Sequence, residues 1–175
     1  MRITGAGVLL TDLDRFVAGF ELANGRWSEF GGERDKGETV WQTAKRELYE
    51  ESACLFTLDN EPEWYVDREY KPGKVYRCYI AVTKLDSRWP QYFQENLKEQ
   101  TKPHFKEMDK LRFFRIDDRR SSFSMRFWII FNLEESDKEL NVSHRCAWCV
   151  TFLTSPDIVI VCRVPIQTKI KVCDV

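Results

Sequence analysis

One stretch constrains this chain more than any other. Gly32-Glu33-Arg34-Asp35-Lys36-Gly37-Glu38, followed after seven residues by Arg46-Glu47-Leu48-Tyr49-Glu50-Glu51, reads as a tight turn delivered into a helix. At about 100° per residue, Glu47, Glu50 and Glu51 fall within an arc of about 100°. Trp41, Ala44 and Leu48 mark the neighbouring stripe, the one such a helix buries. Like charges four residues apart, here Glu47 and Glu51, cost a few tenths of a kcal/mol on an isolated helix. Three acids crowded beside a core-facing stripe are therefore poor decoration. A divalent cation relieves the repulsion, and oxygen ligands of this kind suit Mg2+ or Mn2+. For Glu50-Glu51 alone a solvated helix face would be the plainer account; the full spacing argues against it.

The segment Gly32 to Cys54 resembles the Nudix hydrolase signature. In that signature a Gly, five residues, a Glu, seven residues and then Arg-Glu-aliphatic-x-Glu-Glu-x-Gly-aliphatic form a loop, a helix and a loop. Gly32, Glu38, Arg46, Glu47, Leu48, Glu50 and Glu51 match in type and spacing. Two positions depart: Ala53 stands for the usual Gly and Cys54 for the aliphatic after it. A left-handed helix-ending residue with a Cβ bears roughly 1 kcal/mol of strain, so either Ala53 carries it or the helix ends by another turn. Upstream, Trp27-Ser28-Glu29-Phe30-Gly31-Gly32 resembles the strand that leads into the family's Pro-Gly-Gly, with Phe30 in the proline's place.

The resemblance implies an α+β fold, an α/β/α sandwich in which a mixed sheet lies between helices. The order of elements agrees with it. Ile3 to Leu10 and Phe16 to Leu22 read as strands joined by the Asp12-Leu13-Asp14 turn, and Asn24-Gly25 supplies the next turn. The acidic helix runs from near Thr39 to near Ser52. Cys54 to Leu58 and Trp64 to Tyr70 read as extended, Lys71-Pro72-Gly73-Lys74 as a turn, and Val75 to Val82 as a strand. An insertion over about 86–105 carries Trp89, Tyr92, Phe93 and Leu97 at helical spacing. Leu111 to Ile116 reads as a strand and Met125 to Leu133 as a helix. The domain expected from the resemblance covers 1–135. Residues 136–175 form a β-rich C-terminal extension with strands at Ala147 to Leu153, Ile158 to Val164 and Lys169 to Val172. They extend the sheet, cover an edge or join a homodimer.

Composition excludes rather than identifies. The 175 residues suit one domain, and 43% hydrophobic with 31% charged is ordinary for a globular protein. A net charge of −1 supplies no global pull toward nucleic acid. No apolar run reaches membrane-spanning length, so no membrane partner is expected. Six cysteines without the spacing of a secreted disulfide framework point to reduced thiols and a cytoplasmic or nuclear setting. Cys146 and Cys149 lack a clear ligand set for zinc and the context of a redox pair, and His104 and His144 lack catalytic partners at recognisable spacing.

From the resemblance follow the expected roles. Glu47, Glu50 and Glu51, with the backbone carbonyl near Gly31, hold Mg2+ or Mn2+. Arg46 orients the Glu50 carboxylate, and Glu38 supports the metal's water or the substrate. Glu50, Glu51, Arg46 and Glu107 form the catalytic set, with Glu107 a candidate general base on a later loop and Asp109 its alternate. Trp27 and Phe30 are candidates to stack on a base, with core packing as the alternative. Tyr70 matches weakly a tyrosine of dinucleoside polyphosphate hydrolases. Lys74, with Arg68, Lys71 and Arg77, forms a basic group for a polyphosphate tail. The expected activity is pyrophosphohydrolysis of a nucleoside diphosphate linked to another moiety, with a nucleotide or a dinucleoside polyphosphate favoured. The alternatives are an mRNA cap, a diphosphoinositol polyphosphate, and a non-catalytic nucleotide-binding module.

Overall fold

The computed structural model describes residues 2–116 and 170–172. In chain order the elements are β1 (Arg2–Thr11), β2 (Arg15–Glu21), β3 (Arg26–Ser28), β4 (Phe30–Glu33), α1 (Val40–Glu51), β5 (Phe56–Leu58), β6 (Trp64–Lys71), β7 (Lys74–Val82), α2 (Trp89–Glu99), β8 (Met108–Arg115) and β9 (Ile170–Val172). A 3-10 helix over Pro103–Lys106 precedes β8.

β1 is the axis of a mixed seven-stranded sheet. From Gly5 to Leu10 its sequence is apolar or glycine on both alternating sets, the pattern of a strand covered on both faces. Along one side it pairs in parallel with β7, from Arg2↔Lys74 to Thr11↔Val82. Along the other it pairs antiparallel with β4 near its start and with β2 near its end. β2 in turn pairs with β3 and β8, and β6 pairs with β7. β3 and β4 are thus nearly one strand, which crosses at Glu29 from β2 to β1.

Local chemistry explains the turns. Asp12 Oδ1 accepts from the N–H groups of Asp14 and Arg15 at 3.2 and 2.7 Å, closing β1 onto β2. Asn24 Oδ1 accepts from Arg26 N–H at 2.9 Å, and Gly25 takes φ +66° beside it. α1 opens on a reciprocal cap: Gln42 N–H donates to Thr39 Oγ1 at 3.1 Å and Thr39 N–H donates to Gln42 Oε1 at 2.7 Å. At the other end Ala53 takes φ +52° and Cys54 φ +66°. The strain anticipated for Ala53 is borne, and it extends to Cys54, which is why β5 begins at Phe56 rather than Cys54.

The two faces of the sheet carry different cores. Ala6, Val8, Leu10, Val17 and Phe30 join Ala44 and Leu48 of α1 and Trp89 and Phe93 of α2 in the larger cluster. Leu9, Phe16, Ala18, Tyr76, Cys78 and Phe114 form the second, on the opposite face. α2 confirms the helix read in the insertion, and Met108 moves the start of β8 ahead of Leu111 by pairing with Glu21. Of the strand expected at Lys169 to Val172, Ile170–Val172 is realised as β9, antiparallel to β5, and Lys169 lies outside the described residues. The expected helix at Met125 to Leu133 and the strands at Ala147 to Leu153 and Ile158 to Val164 lie outside the described residues.

Candidate active site

The acidic helix is held against the sheet so that its carboxylates meet the Gly31-Gly32 segment of β4. Glu47 and Glu51 are buried, at 9% and 4% exposure, while Glu50 stands at the rim. Glu51 Oε2 accepts a short hydrogen bond, 2.5 Å, from Gly31 N–H. Gly32 leaves room for Glu47: a Cβ at residue 32 would sit 2.6 Å from the Glu47 carboxyl carbon. One glycine therefore offers its amide and the next its missing side chain.

Arg46 gathers the acids. Its Nε and Nη2 donate to the two oxygens of Glu38 at 2.8 and 3.1 Å, and its Nη1 donates to Glu47 Oε1 at 2.7 Å and Glu50 Oε2 at 3.1 Å. Nη2 also reaches the carbonyl of Glu33 at 3.1 Å, tying the helix to the end of β4. The contact expected between Arg46 and Glu50 is present, one of several. Glu38 is fully engaged: besides Arg46 it accepts from Thr43 Oγ1 at 2.9 Å and Asp35 N–H at 3.1 Å. It clamps the loop to the helix, and the hydrogen bonds from Arg46 hold its pKa down at about 2. Its oxygens are spent on protein donors, which corrects the expectation that they face substrate.

Glu47 behaves differently although it touches the same guanidinium. Burial raises its pKa, Arg46 lowers it, and the negative charges of Glu50 and Glu107 raise it further. Desolvation outweighs the ion pair because the carboxyl is buried on the sheet side of the helix. Glu107 is thus placed electrostatically beside Glu47, at the end of the 3-10 helix, where its carbonyl accepts from Leu22 N–H at 2.9 Å. Asp109 turns elsewhere, 3.6 Å from Lys110.

The acids here offer oxygens, and Glu50 and Glu107 each act on Glu47 as like charges; that set suits a hard divalent ion. Among the described residues no three His, Cys, Asp or Glu side chains are posed to hold an ion as they stand. The reason is visible in the contacts of Arg46, which turn Glu47 and Glu50 onto the guanidinium.

The remaining candidates are dispersed. Phe30 is wholly buried beneath α1, its ring edge-on to Phe56 at 5.8 Å, so it has no face for a base and the stacking reading is corrected to core packing. Trp27 is partly buried on the opposite face, against Phe20 and Phe114. Tyr70 packs on the same face, 3.3 Å from Thr4 Oγ1. Lys74 is exposed at the turn between β6 and β7, separated from β4 by β1. Arg77 is committed to Asp67, with two contacts of 2.7 Å, and lies 3.7 Å over the Tyr65 ring. The basic group expected around Lys74 is accordingly reduced.

Two features escaped the sequence reading. His104 Nε2 stands 3.9 Å from Glu50 Oε1, while Phe105 packs edge-on against Tyr49. The 3-10 turn that brings them there had only Pro103 as a signal. Glu29 is wholly buried within the strand between Trp27 and Phe30, and an acid inside an apolar strand was a signal available to be used.

Comparison with known proteins agrees with this architecture. A family model described as NUDIX domain matches residues 1–128. The chain is 32% identical over 114 residues to an oxidized purine nucleoside triphosphate hydrolase of Danio rerio, covering 61% of this chain and 67% of that protein. It resembles a MutT NUDIX hydrolase structure from Burkholderia pseudomallei with a TM-score of 0.51 at 20% identity, over 75% of this chain and 97% of that one. A looser likeness, TM-score 0.40 at 16% identity over 66% and 82% of the two chains, is to an Ap4A hydrolase of C. elegans. Taken with the acidic helix seated on Gly31-Gly32, the match over residues 1–128 shows that this chain belongs to the NUDIX domain family and is a hydrolase of phosphorus-containing anhydrides.

Proposed function

We propose that the protein is a pyrophosphohydrolase of purine nucleoside triphosphates, dependent on Mg2+ or Mn2+. The observation that carries this reading is the seating of the acidic helix on Gly31-Gly32, with Glu47 and Glu51 buried against that turn and Glu50 at its rim. Such a cluster gains from a cation that neutralises it. Glu47, Glu50, Glu51 and the carbonyl of Gly31 are the groups to hold one. When bound, the ion supplies charge stabilisation on the phosphoryl oxygens and an acidified water. The zebrafish relative, named for oxidized purine nucleoside triphosphates, supports a purine nucleotide over the alternatives.

The protein's own residues then have separate tasks. Arg46, fixed by Glu38 and the Glu33 carbonyl, keeps Glu47 and Glu50 on one side of the helix. The Gly31 N–H orients Glu51. Glu107 stands beside the cluster to accept the proton of the attacking water. In the reaction the water oxygen bonds to phosphorus as the bridging P–O bond breaks, and the leaving phosphate oxygen departs with the electron pair.

A substrate panel tests the reading: purine and oxidised purine nucleoside triphosphates, dinucleoside polyphosphates, ADP-ribose, capped RNA and diphosphoinositol polyphosphates, each with Mg2+, Mn2+ or EDTA. Metal-dependent cleavage of purine triphosphates, lost by orders of magnitude in Glu50→Gln and Glu51→Gln with the fold intact, is the expected result. Turnover confined to capped RNA or inositol pyrophosphates would overturn the substrate class. Tight nucleotide binding without turnover would instead identify a sensor.

A further inference from the structure

The 3-10 turn before β8 lies along the acidic helix, and the two elements meet residue for residue. His104 Nε2 stands 3.9 Å from Glu50 Oε1, and the Phe105 ring meets Tyr49 edge-on with centroids 6.0 Å apart. Glu107 closes the turn with helical backbone angles, φ −70° and ψ −28°, and acts on Glu47 as a like charge. Side chains three residues apart eclipse on a 3-10 helix, so His104 and Glu107 share a face. On α1, Glu47 and Glu50 are neighbours at the same separation. The two pairs therefore oppose each other in antiparallel sense, His104 to Glu50 and Glu107 to Glu47.

The two ends of this turn are held differently. From Glu107 onward the chain is fixed by its surroundings. The Glu107 carbonyl accepts from Leu22 N–H at 2.9 Å, the wholly buried Met108 fills the space that Gly19 leaves, and Gln94 Nε2 donates to the Asp109 carbonyl at 2.6 Å. Inside the turn, Phe105 N–H donates to the Lys102 carbonyl at 3.2 Å, a bond that shapes the turn without attaching it to α1. Attachment there comes through the side chains of His104 and Phe105, and of the two His104 is the one with a polar atom at the site. Arg46 Nη1 takes Glu50 Oε2 at 3.1 Å while His104 stands at Oε1, so the carboxylate is bracketed at both oxygens. A separation of 3.9 Å is too long for a hydrogen bond, and contacts of this kind commonly tighten when a site is loaded. Nε2 carries a proton in the imidazolium and in one neutral tautomer, so the contact does not require the ring to change charge.

We propose that His104 is a positioning residue, which registers the 3-10 turn on α1 through Glu50 and so holds Glu107 beside Glu47. The inference rests on the hydrolase reading above, in which Glu50 helps to hold the cation and Glu107 accepts the proton of the attacking water. It adds the group that keeps those two acids in step. Without His104 the turn is free to swing about its anchor at Met108, which displaces Glu107 and leaves the groups on α1 in place. The loss therefore belongs to kcat rather than to KM.

Steady-state kinetics of the full chain, on the purine nucleoside triphosphate that wild type cleaves fastest, tests it in His104→Ala, His104→Gln, Glu107→Gln and the double variant of His104→Ala with Glu107→Gln. His104→Ala should lower kcat by roughly 10- to 10²-fold and leave KM within about twofold. The side chain is nearly half exposed, so the melting temperature should hardly move. Glutamine carries an N–H at similar reach, and His104→Gln should restore kcat to within about threefold of wild type. In the Glu107→Gln background the alanine change should cost no more than about twofold, because its effect passes through Glu107. In metal-free protein, hydrogen exchange at Leu22 N–H should quicken by about threefold or more in His104→Ala, since the Glu107 carbonyl protects it. Wild-type kcat in His104→Ala, a loss that glutamine does not relieve, one that persists in full without the Glu107 carboxylate, or unchanged exchange at Leu22 would each overturn the proposal and leave the hydrolase reading intact. A Glu107→Gln enzyme as active as wild type removes that acid from the chemistry and overturns the proposal together with the assignment of Glu107. Failure of wild type on every nucleotide would instead sink the underlying nucleotide reading, and this proposal with it.

Discussion

Gly32→Ala should separate what the β4 turn does for chemistry from what it does for the fold. The added methyl would lie 2.6 Å from Glu47 Cδ and 2.8 Å from Oε2, where ordinary contact begins at 3.4 Å. The carboxyl group must therefore withdraw by nearly 1 Å, away from its 2.7 Å contact with Arg46. What yields is the far end of a flexible side chain, so the backbone keeps its place. Replacing glycine also reduces the freedom of the unfolded chain, worth about 0.4–1 kcal/mol in favour of the fold. That offsets a weakened ion pair of about the same size, and the net change in stability should stay within about 1 kcal/mol. Catalysis is less tolerant: a misplacement of about 1 Å costs on the order of 10²-fold, or about 2.7 kcal/mol of transition-state stabilisation. Gly31→Ala is the control. Its Cβ would meet Gly7 Cα at 2.6 Å and Ala6 O at 2.9 Å, backbone of the neighbouring strand with nowhere to go. About 1–3 kcal/mol of overpacking is expected there. Urea denaturation followed by tryptophan fluorescence, with initial rates of nucleotide hydrolysis, measures both quantities. A Gly32→Ala protein with unaltered kcat/KM, or one as unstable as Gly31→Ala, would refute the reasoning.

Two of the carboxylates on Arg46, those of Glu38 and Glu47, should respond to pH with opposite signs. The pKa of Glu38 falls from 4.5 to about 2 on folding, so its contribution is present above 4.5 and is lost as pH falls toward 2. Glu38→Gln should flatten that acid limb by about 1 kcal/mol after allowance for screening at a partly exposed site, read from urea midpoints between pH 2 and 6. The pKa of Glu47 is raised, so its contribution is present below 4.5 and is lost as pH rises through the folded value. Glu47→Gln in metal-free buffer at neutral pH should therefore match or exceed wild type in stability while losing activity, measured by the melting temperature and the hydrolysis rate; a marked loss of stability would contradict the burial argument. Phe30→Ala should cost about 3–5 kcal/mol in the urea assay, as expected for a fully buried ring in the core beneath α1.

Local signals carried the framework of the molecule well. The capping pair Thr39 and Gln42 and the apolar stripe of Ala44 and Leu48 set α1 within a residue of the expectation, because caps and helical periodicity are properties of adjacent residues. Turns at Asp12 and Gly25 were legible for the same reason. The helix end was harder. Sequence posed the choice at Ala53 between bearing strain and turning otherwise, but Ala53 and Leu55 have to be buried together before two left-handed residues in succession become the better outcome. The site shows the same divide. Spacing put Glu47, Glu50 and Glu51 on one side of the helix, yet their depths in the structure come from β4, where the Gly31 amide binds Glu51 and the missing Cβ of Gly32 leaves room for Glu47.

Depth is also what gives chemically identical residues unequal roles. Arg46 contacts Glu38, Glu47 and Glu50, and a sequence gives all three the same charge and the same partner. Glu38, on the loop, accepts additional hydrogen bonds that favour its anion. Glu47, pressed over Gly32, loses more to desolvation than the guanidinium returns, and its like-charged neighbours add to the deficit. The first carboxylate is a stable fixture and the second a destabilised anion waiting for compensation. A fold that tolerates such an anion beside a glycine turn, with a further acid brought in from the segment before β8, places its electrostatic deficit where an incoming cation would relieve most of it.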